Sequence, residues 1–444
     1  MRRVTVEPLA FLFILTIYAE YTALQEMIAV KLCNQISNAT SIHVCDRSAL
    51  TEDQRLELSA EMSGQMMRYM GIFSLCAIPS SLFTGSWSDT LGRKPLLLLP
   101  SALGLIAELL FALCSLFLAC DHILVLVYFA AVFNGASGGS TTAMSCCFGY
   151  IADITDSELR TRAITILEAA FFVGGFIGFN VAGQLLKHVV GSQFHYIFGL
   201  CFLLHVCIIV YTLTLSETRG PHRSQSLSQL ENVTSGDAAP EKVFSLTHAK
   251  RMFLTLSRQR AARTSILMLY CSGFISFVAM SVQLTLLFTF VKSSPFNWDA
   301  SQYSLYSGIN FLTSGLCLMA VVPLLSRVPS SLPDAGLAVM GFASKLFSLL
   351  NLGLSQSSSQ VFGGIALSAF SEYTMPAIRS MLSKLVDEDE RGKAFSFLGV
   401  LQNVCQFIGS ILFPAVYRLT LSVAPGSAFV AAGALQLVPI LLVA

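Results

Sequence analysis

Five ionisable residues lie inside long apolar runs of this sequence. They are Glu108, Glu168, Lys345, Glu372 and Arg379. Placing a charged side chain at the centre of a bilayer costs at least about 2.5 kcal/mol on insertion scales, so such residues mark sites that handle protons, ions or substrates. No nucleophile elbow, phosphate loop or metal-ligand spacing accompanies them, so neither a catalytic site nor a metal site is predicted.

Glu168 is the first candidate for a proton carrier. Close helix packing beside it is favoured by four glycines, Gly174, Gly175, Gly178 and Gly183. Burial disfavours the ionised form of a carboxyl group, so such a group can load and release a proton during transport. A carboxyl satisfied by hydroxyls or water is the alternative. Glu108 can instead hold helices together inside a bundle, and His205, alone on an apolar run, is predicted to be structural.

Arg379 is the candidate substrate-binding residue, together with Glu168. A guanidinium in a cavity can hold an organic carboxylate through two parallel hydrogen bonds. Glu372, a second candidate for proton coupling, lies seven residues earlier, so both side chains would face one side of a continuous helix. Pro376 predicts a kink between them. The alternatives for Arg379 are an internal salt bridge to Glu168 or Glu372, or an orientation toward the cytoplasm.

A short polar stretch, residues 85–96, separates two long apolar runs and predicts a tight turn between two helices. Its pattern is G-x-x-x-D-x-x-G-R-K-x-x-L. The glycines permit close approach and a sharp turn, and the acid and the arginine, four residues apart, can pair with each other or with neighbouring helix ends. The expected gating residues are Gly85, Asp89, Gly92, Arg93, Lys94 and, at the end of the fourth span, Asp153.

Composition places these residues in a membrane. Of the 444 residues, 54% are hydrophobic and 12% are charged, whereas about a quarter of the residues are charged in soluble domains. The formal net charge of +1 argues against a nucleic-acid partner. The predicted fold class is an all-α, multi-pass membrane protein whose surroundings are the lipid bilayer.

Twelve apolar runs are long enough to span a bilayer, six before and six after a polar, serine-rich segment. They predict an N-terminal six-helix bundle over residues 1–215, a central cytoplasmic loop over 216–264 and a C-terminal bundle over 265–444. Most of the 27 Lys and Arg residues fall on one side in this scheme, which predicts cytoplasmic termini. Two such bundles typically hold a binding site between them near the midplane.

The first loop, about residues 31–61, is then extracytoplasmic. Asn38 stands there in a glycosylation sequence, whereas the similar sequence at Asn232 falls in the cytoplasmic loop and should stay unmodified. Cys33 and Cys45 lie in the same oxidising compartment and are close enough to form a disulfide bond. Cys120 is the competing partner.

The 85–96 pattern resembles the loop between the second and third helices of major facilitator superfamily transporters. Other segments resemble the solute carrier 46 family, which includes the proton-coupled folate transporter. They are Val6-Glu7-Pro8, Trp87 to Leu96, Leu167-Glu168-Ala169, Ser294-Pro295 with Trp298-Asp299, and Ile378 to Val386. The resemblance implies the major facilitator fold, with twelve transmembrane helices in two six-helix bundles. It also implies a proton-coupling role for Glu168 and a transport role for Arg379.

Several positions depart from the folate-transporting member of that family. Met280 stands where that member has a histidine. Ala131 and Gly139 stand where it has an arginine and an aspartate. Asn297 stands where it has an extracellular cysteine, which leaves Cys45 to another partner. The resemblance therefore favours the family more strongly than it favours folate as the substrate.

We expect a secondary active transporter that works by alternating access and takes up a small organic anion together with protons. A folate, a pterin or a peptide-like anion would fit, and no cofactor is expected. A monomer or weak oligomer in the plasma membrane or an endolysosomal membrane is predicted. The alternatives are a non-transporting receptor or scaffold on the same fold and, with almost no support in the sequence, a membrane enzyme.

Overall fold

The computed structural model describes residues 5–37, 50–118, 120, 122–188, 193–218, 262–293, 295–325, 334–386 and 391–443. These residues form helices, with no strand among them. The N-terminal half contains α1 (Glu7–Ile36), α2 (Glu52–Thr90), α3 (Arg93–Leu116), α4 (Val125–Ala136), α5 (Gly139–Ile154), α6 (Ser157–His188) and α7 (His195–Thr214). The C-terminal half contains α8 (Arg263–Lys292), α9 (Ala300–Leu325), α10 (Asp334–Leu354), α11 (Ser358–Ser368), α12 (Thr374–Leu385), α13 (Arg391–Thr420), α14 (Ser427–Leu435) and α15 (Leu437–Val443).

The described helices make up twelve membrane spans. Eight of them, α1, α2, α3, α6, α7, α8, α10 and α13, are long and apolar enough to cross a membrane individually. The remaining four spans are α9 and the interrupted pairs α4–α5, α11–α12 and α14–α15. Six spans fall in each half, so the predicted fold class, a twelve-helix membrane protein of two bundles, is confirmed.

The break between α4 and α5 has a cause in the backbone, and the break between α11 and α12 changes the position of a candidate site residue. Between α4 and α5 the backbone has φ of 75° at Gly138 and 55° at Gly139, a conformation that glycine adopts without a steric penalty. Between α11 and α12 lies a 3₁₀ turn, Ser371–Tyr373. Glu372 lies in this turn and Arg379 lies on α12, so the expectation that they share one continuous helix is wrong.

The helices extend into both ends of the segment predicted as the loop 31–61. α1 continues to Ile36, and α2 begins at Glu52. A capping box starts α2: the Thr51 hydroxyl accepts from the Gln54 N–H at 3.3 Å, and the Gln54 side-chain oxygen accepts from the Thr51 N–H at 3.0 Å. Such a cap satisfies two N–H groups that the helix start leaves unpaired, so polar residues begin the helix before its apolar run.

Glycines bring α6 close to helices of both halves. A Cβ atom at Gly174 would lie 2.6 Å from the carbonyl oxygen of Phe11 on α1, and one at Gly308 on α9 would lie 3.3 Å from the carbonyl oxygen of Phe176. Small residues allow backbones to approach in this way. α6 therefore lies at the boundary between the two bundles, and Glu168 is part of this helix.

Candidate transport pathway between the bundles

Glu168 and Arg379 face each other across the boundary between the bundles. Glu168, on α6, is half-buried, and Arg379, on α12, is exposed. Each side chain interacts electrostatically with the other, but in the described residues no salt bridge of 4 Å or less joins them. The two charges are therefore near enough to attract each other without being in direct contact.

The start of α12 positions Arg379. Its chain neighbours Ala377 and Ile378 are buried, so the helix is anchored by its apolar face while the guanidinium points away from that face. Pro376 lies in the first turn of α12, where its missing N–H costs no intrahelical hydrogen bond. The break in the span therefore precedes the proline instead of occurring at it.

Glu372 is the third charged group of the pathway. From the 3₁₀ turn it interacts electrostatically with Tyr18 of α1, in the opposite bundle, and with Lys345 of α10. Lys345 is buried, and its Nζ donates to Oε1 of Gln283 on α8 at 2.6 Å. The two acids thus have different counter-charges, Lys345 for Glu372 and Arg379 for Glu168.

Aromatic rings from both bundles meet at the boundary, beginning about one turn beyond Glu168. Tyr18 stacks on Phe179 with ring centroids 4.4 Å apart. Phe311 of α9 contacts Tyr18 at 5.0 Å, Phe172 at 5.0 Å and Phe171 at 5.4 Å. We call these five rings the aromatic wall. Tyr18, Phe171 and Phe311 are partly exposed, whereas Phe172 and Phe179 are buried.

The predicted gating loop forms a set of polar contacts. Gly92, with φ of 99°, makes the turn between α2 and α3 and lets Arg93 reach α5. Nε of Arg93 donates to Oδ2 of Asp153 at 3.0 Å, and the guanidinium also bonds to the Ser88 hydroxyl. Beyond their places in α2, Gly85 and Asp89 lie outside what the structure describes. Arg93 and Asp153, both expected to be gating residues, are therefore in contact, and their gating role stays a prediction.

Glu217 belongs to the same set of contacts and was missed from the sequence. Its two carboxylate oxygens accept the backbone N–H groups of Arg93 at 2.8 Å and of Lys94 at 3.1 Å, and Nζ of Lys94 donates to the Leu213 carbonyl at 2.7 Å. A carboxylate at a helix N-terminus stabilises the helix by about 0.3–1 kcal/mol. These contacts all join parts of the N-terminal bundle, so latching of one bundle to the other stays a prediction.

Arg93→Ala is expected to shift the population of conformations while leaving the fold intact. It removes a charge-assisted hydrogen bond to Asp153, worth about 1.5–3 kcal/mol. We expect faster labelling of cysteines introduced on the side of the membrane where the gating loop lies. The labelling rate is normalised to surface expression. Lys384→Ala, which removes an exposed lysine paired with Asp334 at 2.8 Å outside the gating loop, is the control. Unchanged labelling and expression in Arg93→Ala would argue against the gating role.

Ion pairs join the two bundles at the end of the spans opposite the gating loop. We call the side on which α1 begins the inner face, in line with the expected topology, and the opposite side the outer face. Near the outer face, Glu26 of α1 forms an ion pair with Lys292 of α8, with side chains that are 17% and 7% exposed. Arg418 of α13 lies 3.8 Å from Glu61 of α2, and both are about 40% exposed. The described structure is thus closed between the bundles at its outer face.

Breaking the Glu26–Lys292 pair is expected to open the outer face. Removing one partner of a buried ion pair leaves an uncompensated charge and costs about 3–5 kcal/mol, so Lys292→Ala should favour an outward-open state. An impermeant thiol reagent added at the outer face should then label a cysteine placed at Ser307, which is buried, faster than in the parent protein.

The exposed pair provides the control, because surface ion pairs contribute about 0–1 kcal/mol. Glu61→Gln should leave the labelling rate nearly unchanged. The double variant Glu26→Lys with Lys292→Glu should restore closure, since it returns opposite charges to the same positions. Fast labelling in the double variant, or slow labelling in Lys292→Ala, would contradict a gating role for the pair.

The predicted modifications of the first loop are tested at one residue only. Cys33 takes part in a disulfide bond, and its competing partner Cys120 is a free thiol whose carbonyl accepts from Nζ of Lys31 at 2.9 Å. Cys45 and Asn38 lie outside the described residues. The Cys33–Cys45 pairing and glycosylation at Asn38 stay predictions.

Two six-helix bundles, closed at one face and carrying charged groups at their boundary, define a membrane transporter of the alternating-access class. The family model of the Major Facilitator Superfamily matches residues 11–293 and 269–444. The chain therefore belongs to the Major Facilitator Superfamily. The relatives described next are named as transporters and not as enzymes.

The resemblance to the solute carrier 46 family is also confirmed. The proton-coupled folate transporter of Bos taurus is 27% identical over 375 residues, covering 83% of this chain and 75% of that protein. The lysosomal proton-coupled steroid conjugate and bile acid symporter SLC46A3 of Gallus gallus is 26% identical over 455 residues, covering 99% and 93%. Among solved structures, the human organic anion transporter MFSD10 matches with a TM-score of 0.66 at 16% identity over 99% of each chain, which supports the fold.

Proposed function

We propose that this protein carries a small organic anion across a membrane together with protons, with Arg379 binding the anion and Glu168 carrying a proton. The arrangement of Glu168 and Arg379 is the observation that supports this proposal. They attract each other across the bundle boundary without forming a salt bridge, so Arg379 can exchange one negative partner for another. The names of the relatives, which are proton-coupled carriers, favour the same reading.

The aromatic wall and the two cations suggest the class of anion. A ring-containing acid would place its carboxylate on Arg379, and its ring against Tyr18, Phe311 and the neighbouring phenylalanines. Aromatic contacts of this kind add about 0.5–1.5 kcal/mol beyond the area they bury. Relatives named for folate, and for steroid conjugates and bile acids, carry ring-containing compounds. A folate, a pterin or a peptide-like anion remains our proposal for this chain.

The proposed cycle couples the two groups through charge. With Glu168 protonated, Arg379 has no competing carboxylate and pairs with the substrate. When the inner face opens and Glu168 loses its proton, its carboxylate competes for Arg379 and helps to release the substrate. Glu372 is the second candidate for proton coupling, with Lys345 as its counter-charge. The gating loop and the Glu26–Lys292 pair would control the inner and the outer face.

Uptake by proteoliposomes tests this proposal against a receptor or scaffold on the same fold. A panel of labelled folates, pterins, bile acids and peptide-like anions is offered at acidic and at neutral outside pH. Saturable uptake of at least one anion, faster with an inward proton gradient, is the expected result. Binding without uptake across the panel would favour the receptor, for which the loss of polar residues at Ala131 and Gly139 is the supporting feature.

The proposed topology gives a further prediction. If the inner face and the segment 216–264 are cytoplasmic, Asn38 meets the glycosylation machinery and Asn232 does not. Peptide-N-glycosidase should shift the mobility of the parent protein and of Asn232→Gln, and should leave Asn38→Gln unchanged. A shift that depends on Asn232 would reverse the orientation. In the same samples, thiol labelling before reduction should leave Cys33 and Cys45 unmodified.

A further inference from the structure

A group of three titratable side chains lies inside the N-terminal bundle, away from the pathway between the bundles. Glu20 of α1, Glu108 of α3 and His205 of α7 each place one nitrogen or oxygen atom within 4.8 Å of the other two. Their residues are 6%, 0% and 2% exposed. We call them the bundle triad. None of the roles assigned above uses it.

Among the residues that the structure describes, most polar atoms of the bundle triad have no hydrogen-bond partner. Oε1 of Glu20 accepts from Nδ2 of Asn134 on α4 at 2.7 Å. Both carboxyl oxygens of Glu108 and both ring nitrogens of His205 lack a partner among the described residues. A buried polar group that is left unpaired is destabilising, so a purely structural role would leave the bundle with several such unpaired groups.

Among the described residues, no lysine or arginine provides a counter-charge for Glu20 or Glu108. Tyr69 of α2 and Cys201 of α7 are the other titratable groups that interact with Glu20 and Glu108, and both are buried. The described residues of α4, α5 and α6 add no titratable group to these interactions, and no lysine or arginine interacts with either carboxyl group there. Two adjacent carboxylates without a cation repel each other strongly in a medium of low dielectric constant.

One proton removes the repulsion between the two carboxylates and gives them a hydrogen bond. If one carboxyl group is protonated, its O–H donates to the other carboxylate, so the pair gains a hydrogen bond and loses one negative charge. A second proton on His205 would make the triad neutral overall. Space for the ring is provided on α3, because a Cβ atom at Gly104 would lie 2.7 Å from Nε2 of His205.

The bundle triad is connected to the boundary between the bundles through α1. Tyr18 of the aromatic wall precedes Glu20 by two residues, and Tyr21 follows it directly. The Tyr21 hydroxyl donates to the carbonyl of Leu284 on α8, in the opposite bundle. A movement of α1 that separates these contacts would also change the distance of Glu20 from Glu108 and from water.

We propose that Glu20, Glu108 and His205 form a proton-binding site inside the N-terminal bundle, distinct from Glu168, which exchanges its proton with water when α1 moves. Proton binding at this site does not require transport. Its link to the movement of α1 rests on the proposed function. The test therefore has one arm that measures proton binding directly and one arm that measures uptake.

The first arm is infrared difference spectroscopy of the purified, substrate-free protein in lipid, recorded between acidic and neutral pH. We expect the C=O band of a protonated carboxyl group in apolar surroundings that persists in Glu168→Gln and is lost in Glu108→Gln. Gly104→Ala, which displaces the imidazole and changes no ionisable group, should shift the pH midpoint of the band. If Glu108→Gln does not fold, Glu20→Gln should give the same loss.

Three results would overturn this assignment. One is a band that persists in Glu108→Gln and in Glu20→Gln. Another is a band lost in Glu168→Gln alone. The third is stoichiometric binding of Zn²⁺ that depends on Glu108, since the site would then hold a metal.

The second arm compares the pH profile of uptake in the parent protein and in Glu108→Gln. We expect the variant to lose one titrating step while the KM for the anion stays within about twofold, because Arg379 is untouched. If the pH profile is unchanged while the infrared band is still lost in Glu108→Gln, proton binding at the bundle triad is not coupled to the movement of α1. If no anion is taken up at all, the proposed function fails while the infrared arm still decides the site.

Discussion

Arg379→Ala is expected to abolish anion binding at every pH. A guanidinium–carboxylate pair makes two parallel charge-assisted hydrogen bonds, and each hydrogen bond to a charged group contributes about 1.5–3 kcal/mol, so affinity should fall at least about 100-fold. Arg379→Lys should recover little of it, because an ammonium group cannot reproduce the planar two-point contact. Equilibrium binding of a labelled anion to purified protein measures the loss without requiring transport.

Lys384→Ala provides a matched control on the same helix. Lys384 pairs with Asp334 at 2.8 Å, but its side chain is 68% exposed, and exposed ion pairs contribute about 0–1 kcal/mol. The variant removes a cation from α12 about one turn beyond Arg379 and should keep binding within a few fold. Normal binding by Arg379→Ala would make the arginine structural and would remove the main support for an anionic substrate.

The twelve spans and the main charged groups could be predicted from the sequence because the bilayer makes the signal simple. An apolar run of sufficient length is a span, and an ionisable residue inside it has a cost that function must offset. Glu168 and Arg379 follow from such patterns, whereas Arg93 and Asp153 were expected to be gating residues from the resemblance to the major facilitator loop. Glu168 and Arg379 each lie within an apolar run, so the same run predicts both the membrane span and the position of the charged residue along it.

The local geometry around these groups could not be predicted in the same way. The 3₁₀ turn at Glu372 has neither glycine nor proline within it, so the heptad-like spacing to Arg379 suggested one helix. Here tertiary packing determines the break: a Cβ atom at Gly341 of α10 would lie 3.0 Å from the Thr374 nitrogen. The turn brings Glu372 toward Tyr18 and Lys345 instead of toward Arg379.

Contacts between distant helices were equally hidden. His205 was predicted to be structural because it stands alone on an apolar run, yet it lies against Glu20 and Glu108, which are 185 and 97 residues away in the chain. Glu217 was assigned to the central loop, yet its carboxylate caps the start of α3. Periodicity reports which face of a helix is apolar, but it carries no information about which helix that face meets.

Glu168→Gln is expected to separate substrate binding from proton coupling. The amide imitates the protonated carboxyl group, so Arg379 keeps no competing carboxylate and the anion should bind with unchanged or higher affinity. Exchange of labelled for unlabelled anion, which needs no net proton movement, should continue. Uptake driven by an inward proton gradient should fall to the level seen without a gradient, because the variant cannot release a proton at the inner face.

Glu372→Gln is the matched control for this prediction, since it removes a second carboxyl group from the same pathway and leaves the Glu168–Arg379 pair intact. Its counter-charge, Lys345, also bonds to Gln283 at 2.6 Å, so the loss of Glu372 does not leave that lysine without a polar partner. We expect gradient-driven uptake to survive in Glu372→Gln and to be lost in Glu168→Gln. The reverse pattern would transfer the coupling role to Glu372, and full gradient-driven uptake in both variants would transfer it to Glu20.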